Sequence, residues 1–266
     1  MSMISIRDVS YAYKQNQEIQ WAVRDVNLEI AQGEIVSFIG PSGCGKSTVL
    51  NMLAGLLVPT QGNIYCNDHL VQGPSLERGV VFQSYSLFPW MTAEENILLA
   101  LQQVRRQESP QELKKVAHRL LDTVGLQGAD QKYPAQLSGG MQQRVALARL
   151  FAVNSPVFLM DEPFGAVDAA VRATLQDCLI QLWSGEEAKK TVILVTHDID
   201  EAILLSDRIV VFSPGPGKVE EVISVDIPRP RKRSQLFMSP RYVELRAHLL
   251  SSLHNDSEQE GKVVLA

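Results

Sequence analysis

The stretch GPSGCGKST runs from Gly40 through Pro41, Ser42, Gly43, Cys44, Gly45, Lys46 and Ser47 to Thr48, with the spacing of a loop that grips phosphate. Its glycines let several backbone amides turn toward one anion. Lys46 would then reach the β- and γ-phosphates, and the Ser47 hydroxyl would hold Mg²⁺. Further along, VFLMDE ends an apolar run in Asp161 and Glu162. The carboxyl ends of strands are where ligands bind in open α/β sheets. Asp161 is therefore placed to bind Mg²⁺, directly or through water, and Glu162 to activate water. Gln83 follows the run GVVF and His197 follows VILVT, so both would face the γ-phosphate if those strands are neighbours. LSGG, Leu137 to Gly140, is a second small-residue lead into a helical stretch. Ser138, Gly139 and Gly140 leave the first helical amides open to an anion, yet no lysine accompanies them. One chain thus carries two phosphate-gripping helix starts.

Positioning these groups falls to short apolar runs separated by helical segments. IVSFI (Ile35–Ile39), GVVF (Gly79–Phe82), VFLMD (Val157–Asp161), VILVT (Val192–Thr196) and IVVF (Ile209–Phe212) read as buried strands. They are nearly continuous rather than alternating, which implies a sheet covered on both faces. Helices between them imply crossover connections and an α/β core. MISIRDVSYAY and AVRDVNLEI alternate more and read as antiparallel strands at one edge. Two capping boxes follow, Thr92 with Glu95 and Ser109 with Glu112, the second with Pro110 at its first helical position. Leu113, Val116, Ala117, Leu120, Leu121 and Val124 then share one helical face. We read residues 92–136 as a helical subdomain inserted into an α/β core of residues 1–91 and 137–228. Residues 229–266 form a C-terminal extension. SPGPGKVEEVISVDIPRPRKR, rich in proline and glycine, reads as a loop and an extended segment, and HNDSEQEGKVVLA as a loose terminus.

Composition narrows the classes. Of 266 residues, 45% are hydrophobic and 21% charged, which suits a globular core, and the net charge of −5 argues against a generic nucleic-acid binder. Three cysteines, Cys44, Cys66 and Cys178, form no C-x-x-C pair, so neither a disulfide framework nor a cysteine metal site is expected. That fits a reducing compartment. Met1 to Ser10 has no apolar signal core, and no run approaches the ~18 apolar residues of a membrane span. A soluble intracellular protein is expected. His69 and His254 lie in polar stretches, His118 and His248 in helical ones, and none of these four acquires a role.

The phosphate loop, Gln83, Leu137-Ser138-Gly139-Gly140, VFLMDEP, FGAVD and THD occur in the order and spacing of one family. From Met3 to about Phe212 the chain resembles the ATP-binding cassette (ABC) transporter ATPases. The resemblance implies a P-loop NTPase core of α/β type with an antiparallel β edge subdomain, an inserted α-helical subdomain, and ATP with Mg²⁺ as cofactors. It implies that Tyr13 stacks on adenine, with Tyr11 the weaker candidate, and that Gln83 contacts Mg²⁺ and the attacking water. Glu162 becomes the catalytic base, Asp168 bridges subunits, and His197 binds the γ-phosphate. It also accounts for the second helix start. Two cassettes pack head to tail, and Ser138, Gly139 and Gly140 of one close over the γ-phosphate held by Lys46 of the other. The chain departs from the family at Met141, where glutamine is usual; the amides of the helix start are unaffected.

One cassette without a membrane segment implies that the pore is another polypeptide. SYSLFPWMTAEENI, directly after Gln83, is expected to expose Phe88 and Trp90 as a partner surface. FPW, ERGVVFQ, DEPFGAVDA and SPGPGKV…VDIPRPR resemble the nitrate, sulfonate and taurine importers. That branch implies an integral-membrane permease, a second ATPase subunit (identical or related), and a periplasmic or lipid-anchored substrate-binding protein. It places the chain peripherally on the cytoplasmic face of the inner membrane. RPRKR, Arg229 to Arg233, reads as a solvated basic loop, with anionic lipid headgroups as the other reading. A cassette protein acting on nucleic acid or ribosomes is the alternative class; such proteins usually carry two cassettes or a long coiled coil.

Overall fold

The structure, a computed structural model, describes residues 2–15, 18–184 and 189–254. The chain divides into two compact units, residues 1–74 with 193–266 and residues 75–192. In chain order the first unit begins with strands β1 (Ser2–Gln15), β2 (Glu18–Ala31) and β3 (Ile35–Ile39), helix α1 (Lys46–Leu53), and strands β4 (Gln61–Cys66) and β5 (His69–Leu70). The second unit holds β6 (Arg78–Val81), α2 (Ala93–Val104), α3 (Pro110–Thr123), a 3₁₀ turn (Pro134–Gln136), α4 (Gly139–Val153), β7 (Val157–Asp161) and α5 (Ala169–Trp183). The boundary falls inside β8 (Thr191–Val195). The chain then returns to the first unit with α6 (Ile199–Leu205), β9 (Arg208–Phe212), β10 (Val219–Ser224), α7 (Arg233–Leu236) and α8 (Pro240–His254). The terminal stretch 255–266, expected to be loose, lies outside the described residues.

In the first unit β1 pairs antiparallel with both β2 and β4, and β5 extends that sheet. Ile4 faces Ile30, Ile6 faces Leu28 and Val9 faces Val26, all buried, so the alternating pattern places one apolar face inward. β3 runs parallel to β9, with β10 antiparallel on the far side of β9. Every residue of β3 and β8 is buried, as continuous apolar runs demand.

In the second unit β6 runs parallel to β7. Both capping boxes form: Thr92 and Glu95 start α2, Ser109 and Glu112 start α3, and Pro110 opens α3. The apolar stripe of α3 buries Leu113, Ala117, Leu121 and Val124, while Val116 and Leu120 stay half-exposed at its margin. β6 lies against α4 at Gly79, where a Cβ would lie 2.5 Å from Leu150 Cδ1 and the leucine side chain would have to shift. Strand ends differ from the sequence reading by one residue: β6 stops before Phe82 and β8 before Thr196.

The basic run is not a solvated loop throughout. Arg231 Nε donates to Ile227 O at 2.9 Å, Nη1 to Ile203 O at 2.9 Å and Nη2 to Val225 O at 3.0 Å. Burial pushes this guanidinium down to about 10, and the neighbouring Arg229 adds to the effect. Arg229 pairs with Asp207 at 2.9 Å. Carbonyls of the β-rich first unit, rather than water or lipid, thus satisfy Arg231. Nearby, α8 is fastened to α6 through Asp200 Oδ1, which accepts from Tyr242 Oη at 2.7 Å and Arg246 Nε at 2.8 Å.

Candidate active site

In the first unit the chain leaves β3 through the glycine-rich loop and enters α1 at Lys46. Gly45 has φ 95°, and a Cβ there would lie 2.3 Å from Val23 Cγ1 and 2.8 Å from Ala22 O, so only glycine makes this turn. Around Gly43, in contrast, a Cβ would meet nothing within 4 Å, which marks the open side of the loop. No side chain caps α1, whereas α2, α4, α5 and α6 begin with capping bonds to Thr92, Ser138, Asp168 and Asp198. The first amides of α1 are left for an anion. Lys46 is buried and folds back over the loop, its Nζ donating to Gly40 O at 2.8 Å and Pro41 O at 2.9 Å. Cys44 lies beneath, fully buried, while Ser42 and Ser47 are exposed. A buried ammonium, uncapped amides and an exposed hydroxyl in the first helical turn suit a polyphosphate carrying a divalent cation.

Tyr13 stands over this loop. Its hydroxyl lies 3.2 Å from Thr48 Oγ1, the residue is 45% exposed, and Tyr11 meets its ring edge-on at 5.0 Å. The exposed face belongs to Tyr13, while Tyr11 is half-buried. His197 is exposed just beyond β8, in a turn where Thr196 N–H donates to Phe38 O and Thr196 Oγ1 accepts from Asp198 N.

In the second unit Asp161 is the buried last residue of β7. Glu162 follows with φ 47°, a left-handed conformation that costs a non-glycine residue about 1–2 kcal/mol. Gln83 Nε2 donates to Glu162 Oε2 at 3.2 Å, bringing two of the expected catalytic side chains together. The Glu162 carbonyl is held from the other side, accepting from Gln143 Nε2 at 2.9 Å and Gly165 N at 3.2 Å. Gln143 Oε1 in turn accepts from Ala166 N at 3.1 Å, and the residue is 2% exposed. Sequence reasoning gave Gln143 no role. Its signal is a polar residue in register with the buried Leu147 and Leu150, one and two helical turns on.

The loop after Gln83 holds two left-handed residues in succession, Tyr85 at φ 61° and Ser86 at φ 48°. Arg149 secures them, donating to Ser86 O at 2.7 Å and Tyr85 O at 3.3 Å, and burial lowers its pKa. In the same loop Trp90 is 69% exposed, but Phe88 is half-buried, with Trp90 at 5.6 Å on one side and the Arg149 guanidinium at 6.0 Å. Trp90 alone is the projecting aromatic.

The start of α4 is built by Ser138, whose Oγ accepts from Met141 N at 3.3 Å. Gly140 is required by close approach, because a Cβ would lie 2.9 Å from Ala166 O and 3.3 Å from Val167 Cγ1. Ser138, Gly139, Gly140 and Arg144 line a cavity of about 330 Å³ together with Asp168 and Val171. Asp168 caps α5, accepting from Ala170 N at 3.1 Å and Val171 N at 3.0 Å, a local task that the sequence reading did not assign. The amide that the missing glutamine would supply is not recovered from its neighbour. Gln142 Nε2 is committed to Pro134 O at 3.0 Å and Leu137 O at 3.2 Å, which locks the turn before α4.

A glycine loop between a parallel strand and an uncapped helix, with an acidic pair after another parallel strand, defines a P-loop nucleotide-binding fold. Residues 23–165 match the ABC transporter family, and the chain belongs to that family. It is 46% identical over 234 residues to the nitrate import ATP-binding protein NrtD of Synechococcus elongatus, covering 88% of this chain and 85% of that protein. It is 43% identical over 254 residues to the nitrate transport protein NasD of Klebsiella oxytoca, covering 95% and 96%. The bicarbonate transport ATP-binding protein CmpC of Synechococcus elongatus is 49% identical over 234 residues, but the chain spans only 35% of its length. Among solved structures, the dimeric post-hydrolysis state of the ATP-binding cassette MJ0796 bound to ADP and Pi has a TM-score of 0.78 at 37% identity. It covers 85% of this chain and all of its own. The fold is that of ABC ATPase cassettes.

Proposed function

We propose that this chain is the ATP-hydrolysing subunit of an importer for a small oxyanion of the nitrate or bicarbonate kind, working on a separate membrane permease. The relatives' names support the substrate class, with bicarbonate an addition to the nitrate, sulfonate and taurine suggested by motif. No helix among the described residues is long and apolar enough to cross a membrane; the likeness to import and transport ATP-binding proteins supports a peripheral subunit on the cytoplasmic face. Residues 92–136 act as the helical subdomain that meets the permease, chiefly through Trp90 at its entrance, and residues 229–266 as an extension.

One observation carries the mechanism: the same chain has an uncapped cradle at α1 and a second glycine-lined helix start that opens on a cavity shared with Asp168. The cradle of residues 40–48 holds the phosphates of ATP, with Lys46 against the β- and γ-groups and Tyr13 on the adenine. Ser47, Asp161 and Gln83 would hold Mg²⁺, which would supply charge neutralisation at the phosphates. Glu162 takes the proton of the attacking water, and His197 binds the γ-phosphate. Ser138, Gly139 and Gly140 donate across to nucleotide held by a second cassette, identical or related, with Asp168 at the junction. A symmetric head-to-tail dimer then has nucleotide in both of its joints, and hydrolysis opens them.

The test is a pair of variants assayed with permease reconstituted. Lys46→Ala loses ATP binding. Glu162→Gln binds ATP, stops releasing phosphate and accumulates as a closed dimer. Wild-type protein that binds no ATP, or Glu162→Gln protein with normal turnover, refutes the assignment.

A further inference from the structure

The helical part of the second unit contains a polar group that nucleotide chemistry does not use. Glu94, in the first turn of α2, is 3% exposed. Its Oε2 accepts from Gln131 Nε2 at 2.8 Å, but Oε1 is buried without any hydrogen-bond partner. A buried carboxylate oxygen without a hydrogen bond keeps part of its desolvation cost, and only longer contacts to side-chain nitrogens offset it. On α3, His118 Nε2 faces it at 3.5 Å. Asp130, in the loop after α3, completes the group: one atom each from Glu94, His118 and Asp130 lie within 4.8 Å of one another. Backbone bonds fix the arrangement, Glu94 N donating to Asp130 O at 3.0 Å and Ala93 N to Lys132 O at 2.9 Å. Lys114, one turn before His118, approaches Glu94 Oε1 at 3.7 Å, yet its side chain is 62% exposed and its ammonium remains largely in water.

We propose that Glu94, His118 and Asp130 form a binding site for a divalent transition-metal ion of the Zn²⁺ class. One imidazole nitrogen and two carboxylates are a donor set that suits zinc, with a further position left for water. Mg²⁺ and Ca²⁺ favour all-oxygen cages, so the imidazole selects against them. Ligands at about 2.0–2.2 Å from one ion lie at most roughly 4 Å apart, so small side-chain rotations close the site. Gln131 orients the Glu94 carboxylate from behind, as outer-shell partners do. The ion gives the Glu94 oxygen that lacks a hydrogen bond a direct ligand contact and ties the start of α2 to α3 and to the loop that follows. Lys114 swings outward on binding.

The test uses the full chain, free of nucleotide and stripped with chelator, titrated with Zn²⁺ alone against a chromophoric competitor and followed by thermal melting. One tight equivalent is expected. His118→Ala weakens it at least about tenfold, and His118 is exposed enough that its loss leaves the core intact. Lys114→Ala keeps or tightens the site. Zn²⁺ raises the melting temperature of the wild type and not of His118→Ala. Equal affinity in wild type and His118→Ala overturns the proposal. So does loss of the tight equivalent in Asp161→Asn or Cys178→Ser with its retention in His118→Ala, which places the ion elsewhere.

Discussion

Gln143→Met separates positioning from packing at the candidate catalytic centre. Methionine keeps the length and volume of the buried side chain but removes both hydrogen bonds, the donation to Glu162 O and the acceptance from Ala166 N. Each is worth roughly 0.5–1.5 kcal/mol, so stability falls by about 1–3 kcal/mol, read by urea denaturation. Catalysis is affected through Glu162. Its φ of 47° is unfavourable by about 1–2 kcal/mol, and the held carbonyl offsets that cost. Losing about 1 kcal/mol of restraint lets the residue relax and lowers the population with its carboxylate against Gln83 about fivefold. The turnover number for phosphate release should drop by about that factor, with KM for ATP unchanged because the phosphate cradle belongs to residues 40–48. A variant destabilised as calculated yet turning over at the wild-type rate refutes the argument and makes Gln143 a packing residue only.

Two further outcomes test separate parts of the reading. Arg231→Met leaves the carbonyls of Ile203, Val225 and Ile227 without their shared donor and should destabilise the protein by about 3 kcal/mol; an unchanged melting curve would mean that the basic run is solvated after all. Trp90→Glu places a charge on the one projecting aromatic of its loop. It should abolish permease-coupled uptake while leaving basal ATP hydrolysis largely intact, and normal uptake in vesicles would remove Trp90 from the coupling surface.

Local chemistry was legible in the amino-acid order because it is carried by neighbours in the chain. The left-handed turns of the phosphate loop need glycine at Gly45, the capping boxes pair residues three apart, and continuous apolar runs become strands covered on both faces. Those features placed β3, α1, α2, α3 and β7, and with them the cradle and the acidic pair. Contacts between distant segments were decided by folding alone. Gln143 reaches Glu162 across 19 residues, and Arg149 secures a loop more than 60 residues earlier. Arg231 turns inward because folding brings the carbonyls of Ile203, Val225 and Ile227 around it, and no pattern within RPRKR encodes that. The same holds for His118, unremarkable in its helix until the fold sets it against a buried carboxylate oxygen. Spacing along a strand or helix reports periodic geometry; the pairing of buried polar groups depends on which distant atoms share a low-dielectric space, and only the tertiary structure settles that.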